Sequence, residues 1–237
     1  MTDRFTAKQL ERRRRTQKRI GVVALLVALI VFGVWAAYFS SWFTSDETEV
    51  RGIEVLSAEQ VEQAAAVPQG EPLLRVDTRA IARNVAALPV VEEVTVRRAW
   101  PDRIDISVTE RSGAAWLRKN KQNWLVDRHG AVFLRVKDKP KLPELTVDRT
   151  DAETLAAAAS VAADLRAHGR SLFDSTVRID ADSKDSVELR LDDKRIIVWG
   201  GAGETEEKLR VLRSLLDIEA ERYDVSAPDN PTTKTKI

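Results

Sequence analysis

The sequence predicts an α+β protein carried by a single N-terminal transmembrane helix. Two observations predict it. Residues 20–39 form one apolar run without a charge, with cationic residues crowded on its near side. Beyond that run, short β-rich stretches alternate with capped amphipathic helices, with no internal repeat. The 237 residues are 43% hydrophobic and 32% charged, which excludes a polytopic membrane protein and a wholly disordered chain. There is no cysteine, so a disulfide framework, a thiolate zinc site and a cysteine nucleophile are excluded. The net charge of +1 conceals an asymmetry. Residues 1–19 hold eight of the 38 basic residues and two of the 37 acidic ones, which leaves 30 basic and 35 acidic residues in 20–237. A bulk nucleic-acid binder keeps a basic face on its folded part, and no nucleic-acid partner is expected here.

The apolar run, Ile20 to Phe39, is long enough as a helix to span about 30 Å, the thickness of a hydrocarbon core. Arg12, Arg13, Arg14, Arg15, Lys18 and Arg19 precede it; Trp35, Tyr38, Trp42 and Phe43 mark its far end, before Asp46, Glu47 and Glu49. The positive-inside bias then places residues 1–19 in the cytoplasm as a basic tail and residues 40–237 outside it, a single-pass type II arrangement. The rival reading, a cleaved signal peptide, fits poorly because the run exceeds 7–15 residues and aromatics surround the cleavage position.

Residues 40–49 are read as a linker, 50–111 as a first domain, 112–226 as a second and 227–237 as a disordered polar tail opened by Pro228 and Pro231. In the first, Val50–Leu56 is expected to be a strand. Ser57 with Gln60 makes a capping box for a helix carrying Val61, Ala64 and Ala65. Asp77 or Thr78 caps a second helix with Ile81, Val85 and Leu88 on one face, and Pro89 stops it. Val90–Trp100 and Arg103–Glu110 read as strands about a Pro101-Asp102 turn, with Ile104, Ile106 and Val108 on one face. Trp100 is read as a packing residue of that hairpin. The order is β-α-α-β-β.

In the second domain, short strands are expected at Ala114–Arg118, Asn123–Val126 and Ala131–Val136. A helix over 151–168 is capped by Thr150 and Glu153, has the stripe Leu155, Ala158, Ala162 and Leu165, and ends at Gly169. Strands at Val177–Asp180, Val187–Leu191 and Arg195–Trp199 follow, the last two joined by Asp192-Asp193-Lys194. A helix over 204–221 carries Leu209, Leu212, Leu215, Leu216 and Ala220, and Tyr223–Ser226 is a last short strand.

Taken together, these features resemble the FtsQ/DivIB family of bacterial division proteins over almost the whole chain. The resemblance rests on Gly70-Glu71-Pro72-Leu73-Leu74-Arg75-Val76-Asp77, on Leu88-Pro89-x-Val91, and most of all on RRAWPDRIDISVTER at 97–111. Asp127-x-x-Gly130-x-x-Phe133, Leu142-Pro143-x-Leu145, Lys208-Leu209 and Asp224-Val225-Ser226-Ala227-Pro228 continue it in order. One departure is Thr146-Val147, where the family often has a glycine. The resemblance implies a POTRA domain over 50–111 and the family's β-domain after it. It implies a non-catalytic divisome assembly protein at the septum, binding FtsB/DivIC-like and FtsL-like bitopic division proteins. Through them it touches the septal peptidoglycan synthase complex and helps control septal peptidoglycan synthesis. It also implies a partner site around the last strand. Tyr223, Asp224, Val225 and Ser226 are accordingly expected to be an open edge strand, the last ordered element, accepting a partner strand.

No catalytic, metal or cofactor residue is expected. His129 lies in the Asp127–Gly130 turn, and His168 closes a helix where a cation suits the dipole. Gly200-Gly201-Ala202-Gly203 lacks the lysine and Ser/Thr of a phosphate loop and reads as a strand-to-helix turn. The alternative, a membrane-tethered cell-wall enzyme, needs a carboxylate pair in an aromatic cleft. Glu92-Glu93 and Asp192-Asp193 offer none.

Overall fold

The computed structural model describes residues 18–33, 35, 43–147 and 151–235. Residues 18–33 form a helix, α1, with every side chain exposed; Ile20, Leu25 and Ile30 are examples. Residues 34 and 36–39 of the expected span, and Arg12 to Arg15 before it, lie outside the described residues, as does Thr150. Among the described residues no helix is long and apolar enough to cross a membrane. The chain divides into two compact units between Thr109 and Glu110, with α1 in the first.

In the first unit β1 (Glu47–Arg51), α2 (Ala58–Ala65), α3 (Thr78–Ala86), β2 (Val91–Ala99) and β3 (Arg103–Glu110) follow the β-α-α-β-β order. Strand β1 begins earlier than Val50 and stops at Arg51, because Gly52 turns the chain at a φ of 81°. The sheet order is β1-β3-β2, with β1 parallel to β3. The connection from β2 to β3 is short enough to allow only an antiparallel pair. Local chemistry explains the helices. Ser57 and Gln60 form both halves of the capping box. The Asp77 carboxylate accepts from the backbone N–H groups of Arg79 and Ala80, each at 3.0 Å. Val61, Ala65, Ile81 and Val85 then close over Ile104, Ile106 and Val108 in one apolar core. Arg98 ties the preceding loop to β2, its guanidinium donating to the carbonyls of Leu73 (2.6 Å) and Val76 (2.7 Å).

The second unit is a nine-stranded sheet backed by three helices. In chain order these are β4 (Ala115–Lys119), β5 (Gln122–Val126), β6 (Val132–Val136), β7 (Glu144–Val147), α4 (Ala152–His168), α5 (Arg170–Ser175), β8 (Thr176–Ser183), β9 (Ser186–Leu191), β10 (Ile196–Gly200), α6 (Thr205–Leu215), β11 (Arg222–Asp224) and β12 (Thr232–Lys234). The spatial order is β12-β11-β10-β9-β8-β7-β4-β5-β6. Two meanders, β4-β5-β6 and β8-β9-β10, are joined through β7, which lies parallel to both β4 and β8. Thr146-Val147 is therefore part of a central strand, not a turn. Leu155, Ala158, Ala162 and Leu165 of α4 are buried against Ile179, Leu189 and Ile197 of the sheet. Asp151 caps α4, accepting from the N–H groups of Glu153 and Thr154. The helix expected over 204–221 ends at Leu215; Ala220 is buried but lies in the following loop.

Two distant motifs meet in this unit. Arg111, just after β3, pairs with Asp127 in the turn after β5. Asp127 is 1% exposed and also accepts from the N–H groups of His129 (2.9 Å) and Ala131 (2.8 Å). The buried carboxylate thus has a full set of donors, as a buried charge requires.

Candidate partner interface

The far end of the large sheet is built from β10, β11 and β12. The turn after β9 returns the chain as β10, antiparallel to β9. After α6 the chain comes back as β11, parallel to β10, with Ile197 opposite Tyr223 and Val198 opposite Asp224. The sheet pleat sends Tyr223 inward, where it is 1% exposed, and Val225 follows it into the core. The Tyr223 hydroxyl donates to the Ile218 carbonyl at 2.8 Å and accepts from the Ala220 N–H at 3.2 Å. The Arg195 guanidinium lies 5.9 Å from its ring. The opposite face is charged. Arg222 reaches Glu188 at 2.5 Å, Arg190 pairs with Asp180, and Arg178 lies 3.9 Å from Glu144. The hydrogen bond to Asp180 raises the proton affinity of Arg190.

A glycine-rich turn supports this end. Gly200 has a φ of 75°, and a Cβ there would lie 2.7 Å from the Ser226 Cβ, so no other residue fits without moving the end of β11. Lys208, 2% exposed, donates to the Gly201 carbonyl at 2.8 Å, with its ammonium 5.7 Å from the Trp199 ring. Burial lowers its proton affinity, against an opposing pull from Glu204. A lysine inside the fold thus holds the turn.

The expected open edge is not open. The residues read as a disordered tail turn back at 227–230, where the Asn230 N–H donates to the Ala227 carbonyl, and form β12 antiparallel to β11. Arg222 faces Lys234, Tyr223 faces Thr233 and Asp224 faces Thr232. Tyr223–Ser226 is thus neither an edge nor the last ordered element. Tyr223 and Val225 are core residues because the pleat turns them toward α6 and its following loop. The Val225 N–H is spent inside the sheet, donating to the Val198 carbonyl at 2.9 Å. Asp224 accepts from both the N–H and the hydroxyl of Ser226, closing a small turn. Asp224 and Ser226 remain toward solvent, half-buried and exposed. What sequence reasoning missed is Thr232, Thr233 and Lys234; the adjacent β-branched threonines were the one available signal. Beside them an open cleft of about 830 Å³ is lined by Lys194, Arg195, Arg222, Glu221 and Lys234, among others. The membrane-topology residues Lys18 and Arg19 lie in α1 and are exposed.

Two family models match, the POTRA domain of FtsQ type over residues 43–111 and the C-terminal domain of cell division protein FtsQ/DivIB over residues 114–226. The relative named cell division protein FtsQ from Streptomyces venezuelae is 37% identical over 93% of this chain and 87% of its own length. The chain belongs to the FtsQ/DivIB family. The FtsQ of Streptomyces bingchenggensis is 35% identical over 92% of this chain and 86% of its own. That of Mycobacterium tuberculosis is 35% identical over 90% and 69%. The extracytoplasmic domain of DivIB from Geobacillus stearothermophilus is a looser likeness. It has 16% identity and a TM-score of 0.36, over 52% of this chain and 98% of that one. Membership assigns the first unit as a POTRA domain and the second as the FtsQ/DivIB C-terminal domain, and makes this a cell division protein.

Proposed function

We propose that this FtsQ/DivIB member is a membrane-anchored, non-catalytic assembly protein of the division septum, with its N-terminus in the cytoplasm and residues 40–237 outside. Its partners are FtsB/DivIC-like and FtsL-like bitopic proteins, through which it helps control septal peptidoglycan synthesis. Support for the anchor comes from the uncharged run 20–39 behind six cationic residues, and from the apolar side chains of α1, which are exposed all round.

The partner site in this reading is the outer side of β11, at Tyr223–Ser226, and β12 holds the place of the partner strand. The observation that carries it is how little β12 buries. Thr232, Thr233 and Lys234 are all exposed, so β12 is held by backbone hydrogen bonds worth about 1 kcal/mol each, against an ordering cost of similar size per residue. A longer partner strand that also buries side chains displaces it. Tyr223 and Val225 shape the edge from beneath, while Arg222 and Asp224 face the incoming strand's side chains.

The test is the chain truncated after Asn230, its N-terminal segment kept, compared with the untruncated chain against a purified FtsB/DivIC-like partner. Losing the competitor raises affinity about 3- to 10-fold, because the competent fraction rises. Lost binding would show that β12 is itself the docking edge, and unchanged affinity would move the site away from this sheet end.

A further inference from the structure

Trp100 stands in the turn between β2 and β3 with 53% of its surface exposed. It does not pack in the hairpin core. Its ring meets Phe43 edge-on, 5.5 Å between centroids and 77° between planes. Phe43 is the point where the chain enters the POTRA fold. From there the backbone is clamped on two sides. The Leu73 N–H donates to the Phe43 carbonyl at 2.8 Å, and the Ser45 N–H donates to the Glu71 carbonyl at 2.9 Å. Ser45 is fully buried, its hydroxyl directed at the carbonyls of Pro68 and Glu71. On the other side the N–H groups of Asp46 and Glu47 both donate to the Asp102 carbonyl, at 2.9 and 3.2 Å. The turn holding Trp100 is therefore tied to the chain's point of entry.

Only three residues, and so four Cα-to-Cα steps, separate Phe39, the end of the uncharged run, from Phe43. Even fully extended they reach about 14 Å. If residues 20–39 span the bilayer, the Phe43–Trp100 pair lies within reach of the headgroup layer. An amphipathic indole gains most at that depth. The charges nearest the tip are Asp46, Glu47, Asp102 and Arg103, and Arg103 is paired with Glu49 and Asp105, so attraction to anionic lipid is not the source of binding. We infer that the Trp100-Pro101 tip inserts into the lipid–water interface beside the anchor helix and, with Phe43, pins the POTRA domain to the membrane surface. The ligand is the bilayer interface itself, neutral headgroups included. This rests on the anchored reading above.

The absence of cysteine makes any introduced thiol unique. In the full-length chain, reconstituted in phosphatidylcholine vesicles, Asp102→Cys is labelled with an environment-sensitive fluorophore. Glu93→Cys, about 23 Å away along β2, is the control. Lipids spin-labelled near the headgroup quench the probe at 102 at least threefold more than the probe at 93, and Trp100→Ala removes that excess. Trp100→Tyr, which keeps an amphipathic ring, retains most of it and serves as the deciding variant if Trp100→Ala misfolds. Equal quenching at both positions, or an excess that survives Trp100→Ala, overturns the inference while leaving the anchor intact. Failure of the unlabelled chain to float with the vesicles overturns the anchor, and this inference with it. Quenching of the 102 probe only by an added division protein, not by lipid, would make the tip a protein contact instead.

Discussion

Both units finish a sheet with an edge strand from the segment that enters or leaves the fold, and they do it differently. In the POTRA unit the entering chain supplies β1, which pairs with β3 over five residues from Glu47 to Arg51. That strand is preceded by Thr44 and Ser45, which are 7% and 0% exposed, and Val50 packs on the core. In the second unit the leaving chain supplies β12, three residues long and exposed throughout. Both satisfy an edge by the same backbone operation. Only β1 adds side-chain burial, and at about 25 cal/mol per Å² that burial separates a permanent edge from a removable one.

The largest expected effect tests the permanent edge at its support. Ile106 is fully buried opposite Val50 in the β1–β3 register. Ile106→Asp places an unpaired charge in the POTRA core at a cost of several kcal/mol, comparable to the stability of a small domain. Hydrogen exchange should show β1, β2 and β3 losing protection together, while the large sheet stays protected. Protection of β1 in that variant would break the claim that its hold comes from the core.

Next comes Ser45→Ala. It removes the hydroxyl directed at the Pro68 and Glu71 carbonyls, and a lost buried hydrogen bond costs about 1–3 kcal/mol. Urea melts of the POTRA unit should move to lower midpoints at unchanged slope. A midpoint equal to wild type would mean that the entry clamp is held by its backbone bonds alone.

Ending the chain at Asn230 should be the mildest structural change. The melting curve of the second unit should move by less than about 1 kcal/mol, because only a few hydrogen bonds between exposed residues are lost. A drop comparable to that of Ser45→Ala would erase the contrast between the two edges.

The smallest effect concerns acid, and it is shared. The Asp77 and Asp151 carboxylates cap α3 and α4, and each has a proton affinity below the ordinary carboxylate. For Asp77 the leading cause is the Ala80 N–H; for Asp151 it is the Thr154 hydroxyl. The folded state then binds fewer protons than the unfolded chain. Their contribution is present above the ordinary value of about 3.9 and lost as pH falls through the depressed values. Asp151→Asn should flatten the acid side of the second unit's stability profile slightly, and Asp77→Asn that of the POTRA unit. An unchanged slope in either would show that the cap carboxylate is not linked to folding.

Much of this was legible in the residues. Ser57 with Gln60, Asp77 with Ile81 and Val85, and the alternation Ile104, Ile106, Val108 specified α2, α3 and β3, because caps and periodicity act between residues a few positions apart. The same holds for the α4 stripe and for the β9–β10 hairpin. The Trp-Pro turn and the glycine turn before α6 were recognisable as turns, though not that Trp100 faces outward. Nor did Arg111 and Asp127, sixteen residues apart, announce themselves as one buried pair.

What only the tertiary structure decided is which segments become neighbours when the chain returns from far away. Strand β7 sits between β4 and β8, and β11 lies parallel to β10 across the whole of α6, pairings that leave no local signature because parallel strands need long connections. Helix α6 ends at Leu215 although its apolar period runs on to Ala220, since Tyr223 needs the Ile218 carbonyl and the Ala220 N–H as partners for its hydroxyl. Strand β12 was hidden for a simpler reason. Backbone hydrogen bonds form the same ladder whatever the side chains, so three exposed residues can pair, if less firmly than buried ones, and a polar tail carries no hydrophobic pattern to reveal that it does.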